Sequence, residues 1–261
     1  MMKIRPAAVA GMFYPADAGE LGASVATALG RASVEAVAMS SPKALIVPHA
    51  GYIYSGLTAA FAYAAINPAA IKRVVLFGPA HRVAFYGVAL PDCHAFVTPL
   101  GQVRLDQAGM QAALDFPQVS LNGQAHAEEH SLEVQLPFLQ TVLSDFDLVP
   151  LCVGMSEPES VAEVMSALWG GDETLLVISS DLSHYHVYEE ARMLDRMSID
   201  ALLAKAHDLS HDQACGATAI NALQLLAGKK NLTPLLLDYR NSGDTAGDKE
   251  RVVGYASIGY Y

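Results

Sequence analysis

Short apolar runs, separated by longer amphipathic segments, punctuate this chain. Three of the runs are continuous rather than alternating: ALIV at 44–47, VVLF at 74–77 and LLVI at 175–178. Runs of that kind are expected of strands covered on both faces. The pattern predicts strands over Lys43–Pro48, Arg73–Gly78, Tyr86–Leu90, Asp147–Gly154, Thr174–Ser180, Leu232–Tyr239 and Val252–Gly259. Helices fit between them at Ala18–Arg31, Leu57–Ile66, Glu157–Leu168, Glu189–Ala206 and Cys215–Ala227. Ser55 is expected to cap the second of these, and Gly228 to stop the last. In Glu129–Leu143 the leucines at 132, 136, 139 and 143 repeat at helical spacing, and Pro137 should kink that helix or delay its start. Alternating strands and helices predict an α/β fold, a single domain over 1–261 whose largely parallel central sheet is flanked by helices.

In such sheets, functional groups gather where strands end at their carboxyl side. ALIVPHAGYIYSG places His49 just past one buried strand, and RVVLFGPAHR places His81 three residues beyond Gly78. LLVISSDLSHYH delivers Asp181 and His184 after a third. Neutral imidazole is the commonest metal ligand, so His49 and His81 are expected to meet in one metal-binding pocket. Two histidines leave room for an anionic donor, for which Cys215, Glu129, Glu133 and Asp181 are candidates. Cys215 falls where a helix is predicted to begin, and the helix dipole there is expected to lower its thiol pKa. In HAEEHSLEVQLPFL, acidic residues crowd a helix start, and Glu129 or His130 is expected to line the pocket mouth. His94, His126, His186, His207 and His211 read as surface or loop residues, and Cys93 and Cys152 as structural.

Composition narrows the function classes. The chain has 261 residues, 52% of them hydrophobic, enough for one large core. With 27 acidic and 16 basic residues the formal net charge is −11, which repels phosphate backbones, so no nucleic-acid partner is expected. The N-terminal residues lack the apolar core of a secretion signal, and no stretch approaches the roughly 18 apolar residues of a membrane helix. A cytoplasmic protein without a membrane span is therefore expected. The three cysteines are far apart in sequence, which disfavours a disulfide framework. There is no GxGxxG after the first strand, no Walker-type loop, no GxSxG elbow and no HExxH.

An ordered set of motifs runs through nearly the whole chain. It comprises AGMFYP at 10–15, PHAGYIYSG at 48–56, GPAH at 78–81, EEHSLEVQLPFL at 128–139, SSDLSHY at 179–185, ACG at 214–216 and a closing GYASIGY. In this set the chain resembles the MEMO family, whose bacterial and archaeal members are called AmmeMemoRadiSam system protein B. The resemblance implies a fold similar to class III extradiol dioxygenases, non-haem iron enzymes that open catechol rings. It implies metal-binding positions at His49, His81 and Cys215, with Asp181 and His184 in the same pocket. Phe13, Tyr14 and Tyr54 would supply aromatic walls. Iron (Fe2+) is the metal expected first, with copper or zinc as alternatives.

The dioxygenase pattern uses two His and one carboxylate, whereas the matching third position here is a cysteine. A thiolate is softer and favours copper(I), zinc or an electron-rich iron, and O₂ can oxidise it. Two functions follow as expectations. One is a metal-dependent oxidoreductase, dioxygenase-like, acting on a small aromatic molecule with His184 as general acid/base and Asp181 orienting it. The other is a non-catalytic module that binds metal and a peptide or protein, with AMMECR-type and radical SAM proteins as companions.

Overall fold

The computed structural model describes residues 3–32 and 41–261. Its first half runs β1 (Ile4–Arg5), α1 (Ala18–Arg31), β2 (Ala44–Val47), α2 (Tyr52–Ala64), β3 (Arg73–Pro79), β4 (Val88–Leu90), β5 (Ala95–Thr98), β6 (Gly101–Arg104), α3 (Gln107–Leu114) and β7 (Val119–Leu121). The second half runs α4 (Gly123–Ala127), α5 (His130–Glu133), α6 (Leu136–Val142), β8 (Asp147–Val153), α7 (Pro158–Ala167), β9 (Thr174–Ser179), β10 (His184–His186), α8 (Tyr188–Leu203), α9 (Ala217–Lys229), β11 (Pro234–Asn241) and β12 (Val252–Tyr260).

The main sheet has nine strands in the order β10-β12-β2-β9-β3-β8-β4-β7, with β11 also paired to β12. The centre, β2-β9-β3-β8, is wholly parallel. Three of these four strands, β2, β9 and β3, carry the continuous runs, and the ALIV, LLVI and VVLF residues are all buried. The margins are antiparallel, at β12 against β2 and at β4 against β8. The expected parallel sheet is thus the core of a mixed one. The reason lies partly in β11 and β12, which form a hairpin pair and so cannot both run with the central strands. A separate three-stranded sheet, β1-β5-β6, lies outside the main one.

One helix group packs α1 on α2 and α6, another packs α7 on α9 and α3, and α8 lies against β11 and β12. Among the described residues, no helix is long and apolar enough to cross a membrane. The α1 bounds match the sequence expectation, and the Asp17 side chain caps it by accepting from the Glu20 backbone N–H.

Several local expectations need correction. The helix expected from Leu57 begins at Tyr52 with Gly51 as N-cap, and Ser55 lies inside it, its hydroxyl donating to the Ala50 carbonyl. The helix therefore starts almost directly after His49. Gly228 does not stop α9, which continues to Lys229. A single glycine costs a helix only about 1 kcal/mol, less than the neighbouring burial returns. The segment Glu129–Leu143 splits into α5 and α6, and Pro137 sits in the first turn of α6, where a missing N–H is tolerated. β1, β5, β6, β7 and β10 carry no strand signal in the sequence, each being only two to four residues long.

Candidate metal centre

Because β9 lies between β2 and β3 and all three are parallel, their carboxyl ends open side by side. Val47 pairs with Ser179, so His49 and Asp181 leave the sheet at the same level. They are joined there, the His49 backbone N–H donating to Asp181 Oδ1 at 2.7 Å. His81 follows β3. The α5 segment reaches the same place because Gly78 has no side chain: a Cβ there would lie 2.8 Å from Ser131 Oγ and 2.9 Å from Leu132 Cδ2. The strand end and the His130–Glu133 turn can approach only at glycine.

The tautomer of His49 is fixed by its neighbours. Ser179 Oγ donates its one proton to the Ser131 carbonyl at 2.6 Å and accepts from Gln135 Nε2 at 2.8 Å. Gln135 is itself held by the Pro48 carbonyl and by the Tyr63 hydroxyl, which donates to Gln135 Oε1 at 2.7 Å. With the serine proton already committed, His49 Nδ1, 2.8 Å from Ser179 Oγ, must be the donor. Nε2 then carries a lone pair. Burial lowers the His49 pKa well below the ordinary imidazole range, with the neighbouring His81 and His130 adding to it, so the ring is neutral.

His81 is set the same way by a different partner. Glu129 accepts its backbone N–H at 2.6 Å through Oε2 and its Nδ1–H at 2.9 Å through Oε1. Glu129 Oε1 also accepts the Ser131 backbone N–H. Burial pushes this carboxyl up, but the His81 hydrogen bond and charge, together with the two backbone N–H groups, outweigh it and hold the pKa down to about 2. The carboxylate therefore stays ionised and leaves His81 Nε2 free, an arrangement that recurs behind metal-bound histidines. Glu129 is itself buried behind His81 rather than at the pocket mouth.

His130 completes a cluster. One ligand atom from each of His49, His81 and His130 lies within 4.8 Å of the others. The rings of His81 and His130 stack at 4.6 Å, and His49 stands edge-on to both. Burial lowers the His130 pKa to about 4, so this ring too is neutral. Its buried Nδ1 lies 3.3 Å from Glu129 Oε1 but not at a hydrogen-bonding angle, which leaves it without a partner among the described residues. Three clustered imidazoles, one with an orphaned nitrogen, are a donor set that suits zinc, copper, iron or nickel.

Cys215 reaches the cluster from the other side of His49, its Sγ 3.3 Å from His49 Nε2. Its thiol also accepts the Asp181 backbone N–H at 3.3 Å. The expectation of a lowered thiol pKa is corrected here. Burial pushes it up to about 12, and the charge of Asp181 adds to the rise. The reason is position: α9 starts at Ala217 with Gly216 as its cap, and Cys215 lies before it in a desolvated niche. Without a cation, the thiol keeps its proton and can donate it to His49 Nε2. Gly216 permits the approach, since a Cβ there would meet Ser180 Cβ at 2.8 Å and the Ser179 carbonyl at 2.9 Å.

The imidazoles open into a cavity of about 600 Å³, within the usual range for small-molecule sites. Phe13, Tyr54, Asp181 and His184 line it, together with Tyr185, Arg251 and Tyr255. Burial raises Asp181 to about 7 despite the His49 backbone N–H, and burial lowers His184. Tyr14 is not a wall. Its hydroxyl turns inward and donates to Glu133, because that buried carboxylate needs donors. His126, expected at the surface, is buried, its Nε2 against the Ala89 carbonyl. Sequence reasoning missed Ser179 and Gln135, whose role shows only when three separated segments meet. It also passed over Arg251 and Tyr185.

Comparison with known proteins agrees in extent with the motif set. The family model described as "Memo-like protein" matches residues 5–259. A MEMO1 family protein of Aquifex aeolicus is 37% identical, covering 98% of this chain and 99% of its own length. One from Archaeoglobus fulgidus is 36% identical, covering 96% of this chain and 97% of its own. An uncharacterized Escherichia coli K12 protein of known crystal structure shares the fold, with a TM-score of 0.52 at 11% identity over 82% of this chain and 98% of its own.

Proposed function

The chain belongs to the Memo-like protein family, and from that premise we propose that it is a metal-dependent oxidoreductase. In this reading His49, His81 and His130 hold a first-row transition metal, iron(II), and the adjoining cavity takes a small aromatic substrate. The observation that carries the reading is the imidazole cluster itself, with all three donor atoms within 4.8 Å and two tautomers fixed from behind. Among the described residues no water-facing carboxylate competes with them in that cluster. Cys215, beside His49, is an additional donor or an oxidisable thiol, and the same donors would accept copper or zinc.

When bound, the metal supplies Lewis acidity and, as iron or copper, an electron couple. The remaining work falls to the chain. Asp181 ties the His49 backbone to the end of β9 and so fixes the spacing of the strand ends. His184 lines the cavity as a neutral imidazole and can take the proton of a substrate hydroxyl. Phe13 and Tyr54 offer ring faces that pack an aromatic body and exclude water.

The test is oxygen consumption by anaerobically iron-loaded protein over a panel of phenols and catechols. Uptake with at least one of them, lost in His184→Ala while iron is retained, is the expected result. No uptake across the panel with metal occupancy confirmed would contradict the catalytic reading.

A further inference from the structure

The cavity beside the imidazole cluster has one wall unlike the rest. Arg251 is the one Lys or Arg among its lining residues. Elsewhere Arg5, Arg73, Arg104, Arg192, Arg196 and Arg240 each hold a carboxylate, while Arg31 and Arg82 hold none among the described residues but do not line this cavity. No carboxylate among the described residues pairs with the Arg251 guanidinium. Glu250, its neighbour in sequence, forms no ion pair with it, and Asp248, which also lines the cavity, uses its Oδ1 to accept the backbone N–H groups of Glu250 and Arg251 at 2.9 and 3.3 Å.

The guanidinium is nonetheless held in place. It lies 4.9 Å over the ring of Tyr185, a stacked cation–π contact. Tyr185 is exposed and sits at φ 65°, a left-handed backbone that a bulky residue adopts only where the surroundings impose it. What imposes it is the short pairing of β10 with β12, where His184 faces Val253, His186 faces Val252 and the register shifts between them. The backbone bonds Leu182 N–H to the Gly254 carbonyl and Gly254 N–H to the Ser183 carbonyl lock the same corner. The strained residue thus carries its ring under Arg251 and next to His184. Strain retained at the rim of a cavity, supporting a cation with no partner, is a combination that structure alone does not require.

We infer that Arg251, seated on Tyr185, is a specificity residue that binds the acidic group of a small aromatic anion in this cavity. The inference rests on the substrate pocket proposed above and adds the class of its ligand. A guanidinium presents two parallel N–H donors to a carboxylate or a phosphate, and a neutral ligand of the same shape cannot use them. The excess of acidic residues over the whole chain gives anions little reason to approach elsewhere, so a lone cation on the wall has a large share in selecting them.

Binding of benzoate, phenyl phosphate and the neutral isostere benzamide should be measured by calorimetry on the full chain, both metal-free and metal-loaded. In both forms the wild type is expected to prefer at least one of the anions over benzamide by about tenfold or more. Which anion wins distinguishes a carboxylate from a phosphate ligand. Arg251→Gln should bring the preference to within about twofold while metal content stays unchanged, and Arg251→Lys should keep part of it. Equal binding of anions and benzamide by the wild type would overturn the inference. So would a preference that survives Arg251→Gln, since a group other than Arg251 would then select the anion. Failure to load metal would instead count against the proposed function, and the metal-free arm would still decide the role of Arg251.

Discussion

Glu129 and Glu133 sit one helical turn apart at the two ends of α5, are equally buried, and look interchangeable in sequence; their partners make them opposites. Glu129 accepts from His81 twice and from Ser131, so its charge orders a ligand-bearing loop. Glu133 accepts from Arg5, the Tyr14 hydroxyl and the backbone N–H groups of Ala8 and Val9, so its charge ties the N-terminal segment to the core. Arg5 in turn donates to the His126 and Glu129 carbonyls and lies over Phe96. The difference teaches that a buried carboxylate is defined by what donates to it. A fold lock and a site lock can share one turn of helix.

The comparison can be broken most sharply at Glu133. Glu133→Ala leaves Arg5 buried without its counter-charge, so chemical denaturation should show a loss of about 3–5 kcal/mol, the largest stability effect of this series. Glu129→Gln keeps the side-chain shape and should cost less stability, but should weaken metal binding by about 10- to 100-fold in a competition titration. If the two substitutions acted alike on both readouts, the division between them would fail. Ser179→Ala removes the acceptor that fixes the His49 tautomer. It should weaken metal binding by about tenfold while Gln135 and Ser131 remain packed. Cys215→Ala should have the smallest effect of the series, retaining metal where His130→Ala loses most of it. The reverse order would move the third donor from His130 to Cys215.

Much of this was legible in the chain. The continuous apolar runs located the parallel centre, and the strand-end histidines His49 and His81 do meet, with rings 5.2 Å apart. Strand order was not legible. That β9 enters between β2 and β3 follows from packing of the whole sheet, and it is this insertion that brings Asp181 beside His49. The sequence pattern puts Glu129 or His130 at a pocket mouth and does not show His130 in the cluster, because the approach of α5 to β3 depends on one glycine, Gly78. The Cys215 environment is hidden from sequence for a related reason. Helix-start proximity favours the thiolate, but burial opposes it more strongly, and burial is a property of the tertiary fold. Ser179 and Gln135 carry no signal in sequence, since neither type is distinctive and their partners lie far along the chain.

We propose that His49 Nε2 and His81 Nε2 bind one metal ion. The decisive measurement is elemental analysis of protein purified without oxygen, wild type beside His49→Ala and His81→Ala. About one transition-metal ion per wild-type chain is expected, at purification or after reconstitution with Fe(II), Cu or Zn, with its loss from both folded variants. A wild type that takes up none of these metals, or variants that keep a full complement, would contradict it.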